Sequence, residues 1–147
     1  MRSGFALSLL ALALLACAES PVIGHFASDG CTLFPDGKLG DRRLWCDCCF
    51  AHDIAYWRGG TEAERRQADE TLRACVLEKT HDARIATAMY DGVRVGGSPS
   101  FPSWYRWSYG WPFGRGYRPL TGRERAQSRE KLQAYFRANR GGYCASR

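Results

Sequence analysis

Residues 44–57 read LWCDCCFAHDIAYW, and this stretch decides the fold. It contains no glycine or proline and carries apolar residues on several faces, which predicts a buried helix. Within it, Cys48, His52 and Tyr56 are four residues apart and therefore stack on one face of the helix. Asp53 lies about 100° further round, so it points in a neighbouring direction. The pattern suits a histidine base beside a carboxylate that holds a metal.

A second helix is expected directly after the first, over residues 62–79. Residues 58–60, Arg-Gly-Gly, form a turn between the two. Thr61 and Glu64 then make the Thr-x-x-Glu signature of a capping box, which marks the start of a helix. Because the turn is so short, the two helices are expected to lie side by side and antiparallel.

This pair of helices would bring a carboxylate to the histidine. His52 lies eight residues before Gly60 and Asp69 lies nine after it, so the two side chains fall at about the same height. The same arrangement lets Cys48 bond Cys75. A carboxylate on one imidazole nitrogen would fix the tautomer and leave the other nitrogen free to act as a base.

The rest of the chain adds further helices and makes the fold class mainly α. Residues 81–91 are expected to form a third helix that breaks at Gly92. Residues 122–138 form a final helix, which begins with a second capping box at Thr121. No convincing alternating strand pattern is present, so the expected architecture is a small fold in which two antiparallel helices carry the site.

An aromatic loop is expected at residues 101–119, FPSWYRWSYGWPFGRGYRP. Glycine and proline throughout exclude a regular helix and leave room for a short hairpin. Trp and Tyr beside cations suit a membrane interface, which would bring Trp104, Trp107 and Trp111 to the surface. The alternative is that these rings pack in the core.

The first residues have the layout of a secretory signal. Residues 1–18 combine a basic start, an apolar run too short to span a membrane and small residues ending at Ala18. Cleavage there leaves residues 19–147 as one domain with a net charge of +5. The expected location is secreted or periplasmic. Residues 14–17 also resemble a lipoprotein box, so the alternative is a protein anchored through Cys17.

The charge of the domain bears on its partners. A modest positive charge suits an anionic surface such as a phospholipid membrane. No run of Lys and Arg is long enough to indicate nucleic-acid binding, and a monomer is expected.

Residues 48–56 resemble the active-site helix of secreted phospholipases A2, in which Cys-Cys-x-x-His-Asp is followed by a tyrosine. That family has an aspartate six residues before a cysteine on its second helix, and Asp69 and Cys75 have this spacing. A further family disulfide joins the positions that are Ala55 and Ala68 here. The loss of both partners together is what a true relative would show.

The resemblance implies a small disulfide-bonded phospholipase A2-like fold and a hydrolase. His52 would deprotonate a water that attacks an acyl ester of a phospholipid, Asp69 would orient His52, and Tyr56 would add a hydrogen bond to Asp69. One alternative is a non-catalytic scaffold of the same fold that binds a lipid or a protein partner. Another is a structural envelope protein without a small ligand.

The resemblance also implies Ca²⁺ as cofactor. Asp53 would hold the ion, and the backbone carbonyls of Thr32, Phe34 and Asp36 would face it. Oxygen ligands of this kind suit a hard cation. The loop departs from the family pattern because Phe34, Pro35 and Asp36 replace permissive positions and a second cysteine is absent. The alternative is that the loop is closed and the protein is a metal-free scaffold.

Six cysteines lie outside the signal, and an even number in an exported chain predicts three disulfides. The six are Cys31, Cys46, Cys48, Cys49, Cys75 and Cys144. Helix geometry and the resemblance together favour Cys48 with Cys75. The resemblance further favours Cys49 with Cys31, which leaves Cys46 for Cys144, while the alternative joins Cys31 to Cys144. A different possibility is that the three clustered cysteines and His52 bind Zn²⁺.

Overall fold

The computed structural model describes residues 21–140 and 142–144, and this part of the chain is mainly helical. Its four helices are α1 (Cys46–Arg58), α2 (Glu62–Thr80), α3 (Ala83–Gly96) and α4 (Gly122–Ala138). No strand occurs in the described ranges, where the only β-type pairing is an isolated bridge between Lys38 and Asp41. The mainly α class is therefore confirmed. The signal at residues 1–18 and the lipid-anchor candidate Cys17 lie outside the described residues.

The helix boundaries agree with the sequence except in α3. Both capping boxes form: the Thr61 hydroxyl accepts from the Glu64 amide, and the Thr121 hydroxyl accepts from the Glu124 amide. The break expected at Gly92 was wrong, because α3 continues to Gly96. One interior glycine costs a helix only about 1 kcal/mol, which packing against α2 offsets.

Helix α1 lies between two apolar cores. The first core joins α1 to α2 and α3, and it contains Cys31, Trp45, Cys48, Cys49, Leu72, Val76, Ala86 and Met89. The second core joins the other side of α1 to the chain ahead of it, to the aromatic loop and to α4. Its buried members are Ile23, Phe26, Trp57, Trp111 and Leu120, with Leu132 and Tyr135 of α4 packed against them. Burial on both sides fixes the directions of the α1 side chains that face the two cores.

Three disulfides fasten these layers. Cys48 bonds Cys75 between α1 and α2, Cys31 bonds Cys49, and Cys46 bonds Cys144. The favoured pairing is therefore confirmed, and the Cys31–Cys144 alternative was wrong. Zinc binding by the α1 cysteines was also wrong, because the sulfurs of Cys46, Cys48 and Cys49 are each bonded in one of these disulfides. Three disulfides are typical of an oxidising environment outside the cytosol, and each contributes about 2–4 kcal/mol.

The aromatic loop is a series of turns that covers the α1–α2 junction, and the hairpin considered for it is absent from the described residues. Trp107 donates its Nε1–H to the Gly60 carbonyl at 2.9 Å, and Trp111 donates to the Arg58 carbonyl at 2.8 Å. Both rings are buried, so their assignment to a membrane interface was wrong. Trp104 alone of the three is exposed, with 69% of its surface accessible.

None of the helices in residues 21–140 has the length and apolar character needed to cross a membrane.

Candidate active site

The centre of the site is a hydrogen-bonded pair of side chains from α1 and α2. His52 Nε2 lies 2.8 Å from Asp69 Oδ1, and the Tyr56 hydroxyl donates to the same oxygen at 2.8 Å. Asp69 is fully buried and His52 is only 9% exposed. Because Nε2 faces the carboxylate, Nδ1 is the nitrogen left to act as a base. The expected contact between these three residues is confirmed.

Two arginines complete the surroundings of Asp69. Arg94, from the end of α3, donates to Asp69 Oδ2 at 2.7 Å. Arg65 lies 3.8 Å from the same oxygen and donates to the Tyr56 hydroxyl at 3.0 Å. Burial alone would raise the pKa of Asp69, but the hydrogen bonds from His52 and Arg94 outweigh it and hold that pKa below its usual range. Asp69 is therefore a charged anchor for the histidine.

Neither arginine was predicted from the sequence. Arg65 lies four residues before Asp69 on α2, and this spacing places oppositely charged side chains side by side. The signal for Arg65 was therefore present in the sequence. Arg94 comes from a different helix, and only the packing of α3 against α2 brings it to the site.

Asp53 lies on the neighbouring face of α1 in a different electrostatic setting. The Ser28 hydroxyl donates to Asp53 Oδ2 at 2.5 Å. Burial raises the pKa of Asp53 to about 8; the Ser28 hydrogen bond opposes this rise, and the charges of Asp29 and Asp36 add to it. Three carboxylates thus act on one another here, and a bound cation would relieve their repulsion.

In the loop before α1, some of the oxygens expected to bind the metal instead accept hydrogen bonds from the protein itself. Asp36 Oδ1 accepts from the Cys31 amide at 2.7 Å, and the Asp36 carbonyl accepts from the Trp45 amide at 3.1 Å. Asp36 therefore closes the loop onto the start of α1. The Thr32 hydroxyl donates to Asp29 Oδ1 at 2.7 Å.

The side chains that line the cavity beside Asp53 offer oxygen donors, which is the donor chemistry that Ca²⁺ prefers. These donors are Asp53, Ser28, Asp29 and Thr32. The set fits a hard cation through side chains more readily than through the carbonyl of Asp36. Within the described ranges, no three His, Cys, Asp or Glu side chains converge into a ready-made metal site.

An apolar cavity of about 230 Å³ opens onto both His52 and Asp53. One wall is α3, where Ala88, Gly92 and Gly96 lie at intervals of four residues. The remaining wall residues that matter here are Leu33, Phe34, Met89, Val93 and Tyr105. Phe34 therefore forms part of the cavity wall. The cavity is mostly apolar and His52 is among the residues that line it, so it suits a hydrocarbon chain.

Another groove, of about 490 Å³, lies between α1 and α2. It includes Ala55 and Ala68, the positions at which the phospholipase family has a disulfide, as well as His52. The small side chains leave the space between the helices unfilled.

The structure thus brings together His52, Asp69 and Tyr56, with Asp53 beside them and Thr32 and Phe34 on the adjoining cavity walls. Asp36 instead forms hydrogen bonds with the backbone of Cys31 and Trp45. Of the three tryptophans expected at an interface, Trp107 and Trp111 are buried in the core. No protein-family model, no curated protein and no solved structure matches this chain.

Proposed function

We propose that the protein is an exported phospholipase A2-like esterase that hydrolyses an acyl ester of a phospholipid. The observation that carries the proposal is the His52–Asp69 pair, held at 2.8 Å, with His52 lining an apolar cavity. A buried carboxylate on one imidazole nitrogen leaves the other nitrogen free to act as a base beside the cavity proposed to hold an acyl chain.

The proposed reaction needs one water and no covalent enzyme intermediate. His52 Nδ1 takes a proton as the water oxygen adds to the ester carbonyl carbon. The carbon–oxygen bond to the glycerol then breaks, and the same proton passes from the imidazolium to the departing alkoxide. The products are a fatty acid and a lysophospholipid. Asp69 keeps the imidazole in the required tautomer, and Tyr56 fixes the carboxylate.

Asp53 is the residue proposed to hold Ca²⁺, with Ser28, Asp29 and Thr32 as the nearest further oxygen donors. A bound calcium ion would supply electrostatic stabilisation of the ester carbonyl oxygen. The elevated pKa of Asp53, caused chiefly by burial and increased by the charges of Asp29 and Asp36, supports a cation requirement at this position.

Exposed apolar side chains that line the two cavities support contact with a lipid surface. Leu33 is exposed on one side, and Trp104 follows on the aromatic loop beside Tyr105. An enzyme that draws a lipid from a bilayer needs apolar residues at the cavity mouth, because they displace interfacial water.

The decisive experiment measures fatty-acid release from phospholipid vesicles by the purified, oxidised protein. Release is expected with millimolar Ca²⁺ and is expected to stop when a chelator is added. His52→Gln should reduce release at least about 10³-fold, because a general base contributes up to about 10⁴-fold. His81→Asn is the matched control, since His81 is exposed and its left-handed backbone suits asparagine.

A non-catalytic scaffold is the second candidate, and the engaged loop favours it. The Asp36 carbonyl and carboxylate both serve the loop, which leaves fewer ligands for a metal than the phospholipase pattern provides. If the folded protein binds vesicles but releases no fatty acid with or without Ca²⁺, the scaffold takes first place.

A further inference from the structure

The groove of about 490 Å³ between α1 and α2 is not used by the proposed hydrolysis. Its middle is lined by the small side chains of Ala55 and Ala68, and one end by Leu72 and the Cys48–Cys75 disulfide. A disulfide at the two alanines, as in the phospholipase family, would cross the middle of this groove. The open groove is therefore a property of this chain that the resemblance does not supply.

The other end of the groove, next to the α1–α2 turn, is charged. Arg58 from the last turn of α1 and Arg125 from the start of α4 both line it, together with Glu64 of α2. Among the residues that the structure describes, neither guanidinium donates a hydrogen bond to the protein or forms an ion pair at contact distance. Two arginines from different helices therefore keep all their donors available at one end of an apolar groove.

Glu64 determines how much of this positive charge remains for a ligand. Its Oε2 accepts from the Thr61 amide at 2.7 Å and from the Thr61 hydroxyl at 2.9 Å. The hydrogen bond from the Thr61 backbone is the main cause that holds the pKa of Glu64 below its usual range, and the charges of Arg58 and Arg125 add to it. Glu64 is therefore ionised. With two positive charges and one negative, this end of the groove suits a ligand that carries a single negative charge.

The two ends of the groove together define the shape of a ligand. The step from Cys48 to Arg58 along α1 corresponds to about 15 Å. A molecule that fills this length needs an unbranched apolar part to cover the alanines and an anionic group at the arginines. Guanidinium groups bind a carboxylate through two parallel hydrogen bonds, which gives such a ligand a fixed orientation.

We propose that this groove binds a long-chain fatty acid, with its carboxylate at Arg58 and Arg125 and its hydrocarbon chain along Ala55 and Ala68. This binding site goes beyond the proposed esterase and does not depend on it. Burial of the chain would supply most of the affinity, and the arginines would select the anionic end. Where the protein is an esterase, the ligand is one of its own products.

The first test measures the binding of sodium dodecanoate by calorimetry, below the concentration at which it forms micelles. Saturable binding is expected. Acetate lacks the chain and dodecyltrimethylammonium has the opposite charge, so each should bind at least about tenfold more weakly. Arg58→Gln with Arg125→Gln should weaken dodecanoate binding at least about tenfold, because charged hydrogen bonds are lost. Arg66→Gln with Arg137→Gln is the matched control, since both arginines are exposed outside the groove.

The second test locates the ligand, because the apolar cavity that shares His52 and Leu72 with the groove also suits a hydrocarbon chain. Ala55→Leu and Ala68→Leu each fill the groove from a different helix, and both should weaken the arginine-dependent binding at least about tenfold. Gly92→Leu fills the apolar cavity instead, because Gly92 lines it and a Cβ added there meets no atom within 4 Å. It should leave the arginine-dependent binding unchanged.

The use of two alanine variants, each checked by thermal unfolding, keeps the location test decisive if one of them disturbs the helix packing. Loss of dodecanoate binding in Gly92→Leu, with binding retained in both alanine variants, would place the ligand in the apolar cavity and overturn the groove site.

The third test compares headgroups on the same chain. Dodecyl phosphate at pH 8 carries a second negative charge that Glu64 opposes, so it should bind more weakly than dodecanoate. Tighter binding of dodecyl phosphate would overturn the fatty-acid assignment. Equal binding of dodecyltrimethylammonium, or equal affinity in the two arginine double variants, would overturn the charged end. The absence of dodecanoate binding removes the site and leaves the esterase, which the vesicle assay tests separately.

Discussion

His52 and Asp53 are adjacent in the chain, yet α1 places them in opposite electrostatic surroundings. On the His52 side every charge is balanced, because Asp69 is held by the histidine and by Arg94, with Arg65 close by. On the Asp53 side a half-buried carboxylate accepts a hydrogen bond from the Ser28 hydroxyl, and two further carboxylates lie near it. The first side is complete as the chain folds, while the second gathers the carboxylates on which the proposed cation site rests.

Substitution of each of the two aspartates should give the largest difference in the free energy of unfolding. Asp69→Asn should destabilise the protein by about 3–5 kcal/mol, because Arg94 and the buried Arg65 lose their counter-charge. Asp53→Asn should leave stability unchanged or raise it at pH 9, because burial makes the ionised form of Asp53 unfavourable. Urea unfolding at pH 9 with chelator present measures both. Equal losses in the two variants would contradict the contrast.

The origin of this asymmetry explains what could be predicted from the sequence. Helical periodicity and a three-residue turn leave little freedom in how α1 and α2 pack. They therefore predict the positions of His52, Asp69 and Tyr56 and the disulfide of Cys48. The burial of Trp107 and Trp111 does not follow from the sequence. An irregular loop has no periodic pattern that would distinguish buried positions from exposed ones. Their indole N–H groups bond carbonyls at the α1–α2 junction, a contact that exists only once the helices have packed.

The engagement of Asp36 was unpredictable for a similar reason. Its carbonyl accepts from the backbone of Trp45, nine residues further on, and this bond depends on how the loop meets the start of α1. The phospholipase resemblance implied that the loop carbonyls are metal ligands. The loop of that family is rich in glycine, however, whereas this chain has Phe34 and Pro35. Local conformation therefore decides which oxygens remain for a metal.

A restored disulfide would test whether the two helices have the register of the phospholipase family. Ala55→Cys with Ala68→Cys should form a fourth disulfide, because both residues line the groove between α1 and α2. Closing this short loop should stabilise the protein by up to about 3 kcal/mol. Peptide mapping and thermal unfolding measure the outcome. Ala51→Cys with Ala68→Cys is the control, since Ala51 lies one turn away and should not pair. Pairing in the control alone would contradict the register.

The pH dependence of stability should differ between the two sides of α1. The folded protein keeps Asp53 protonated up to about pH 8, whereas the unfolded chain ionises near 3.8. Between those values the folded state holds the extra proton, so Asp53 makes stability fall as pH rises, by at most about 1.4 kcal/mol per pH unit. Urea unfolding from pH 5 to 9 should give a shallower fall in Asp53→Asn than in the wild type. Identical slopes would show that Asp53 ionises freely.

Calcium should change the same dependence of stability on pH. A cation bound to the Asp53 carboxylate favours its ionised form, so added Ca²⁺ should flatten the fall in stability and raise the melting temperature most at high pH. Asp53→Asn should show neither effect. A calorimetric titration of the wild type provides the direct measurement. The absence of both binding heat and a stability shift at millimolar Ca²⁺ would exclude a calcium-dependent esterase and favour the scaffold.

The smallest expected effect concerns how the charge on Asp69 is shared between its two arginines. Arg94 is 25% exposed, so solvent screens its ion pair, and Arg94→Met should cost only about 1–2 kcal/mol while Arg65 remains. Arg94→Lys keeps the charge but loses the planar fork, and it should recover about half of that loss. A double-mutant cycle with Asp69→Asn isolates the pair and should give a coupling of about 1 kcal/mol. Zero coupling would mean that Arg65, without Arg94, balances the charge of Asp69. The charge balance on the His52 side of α1 would then come from α2 and not from α3.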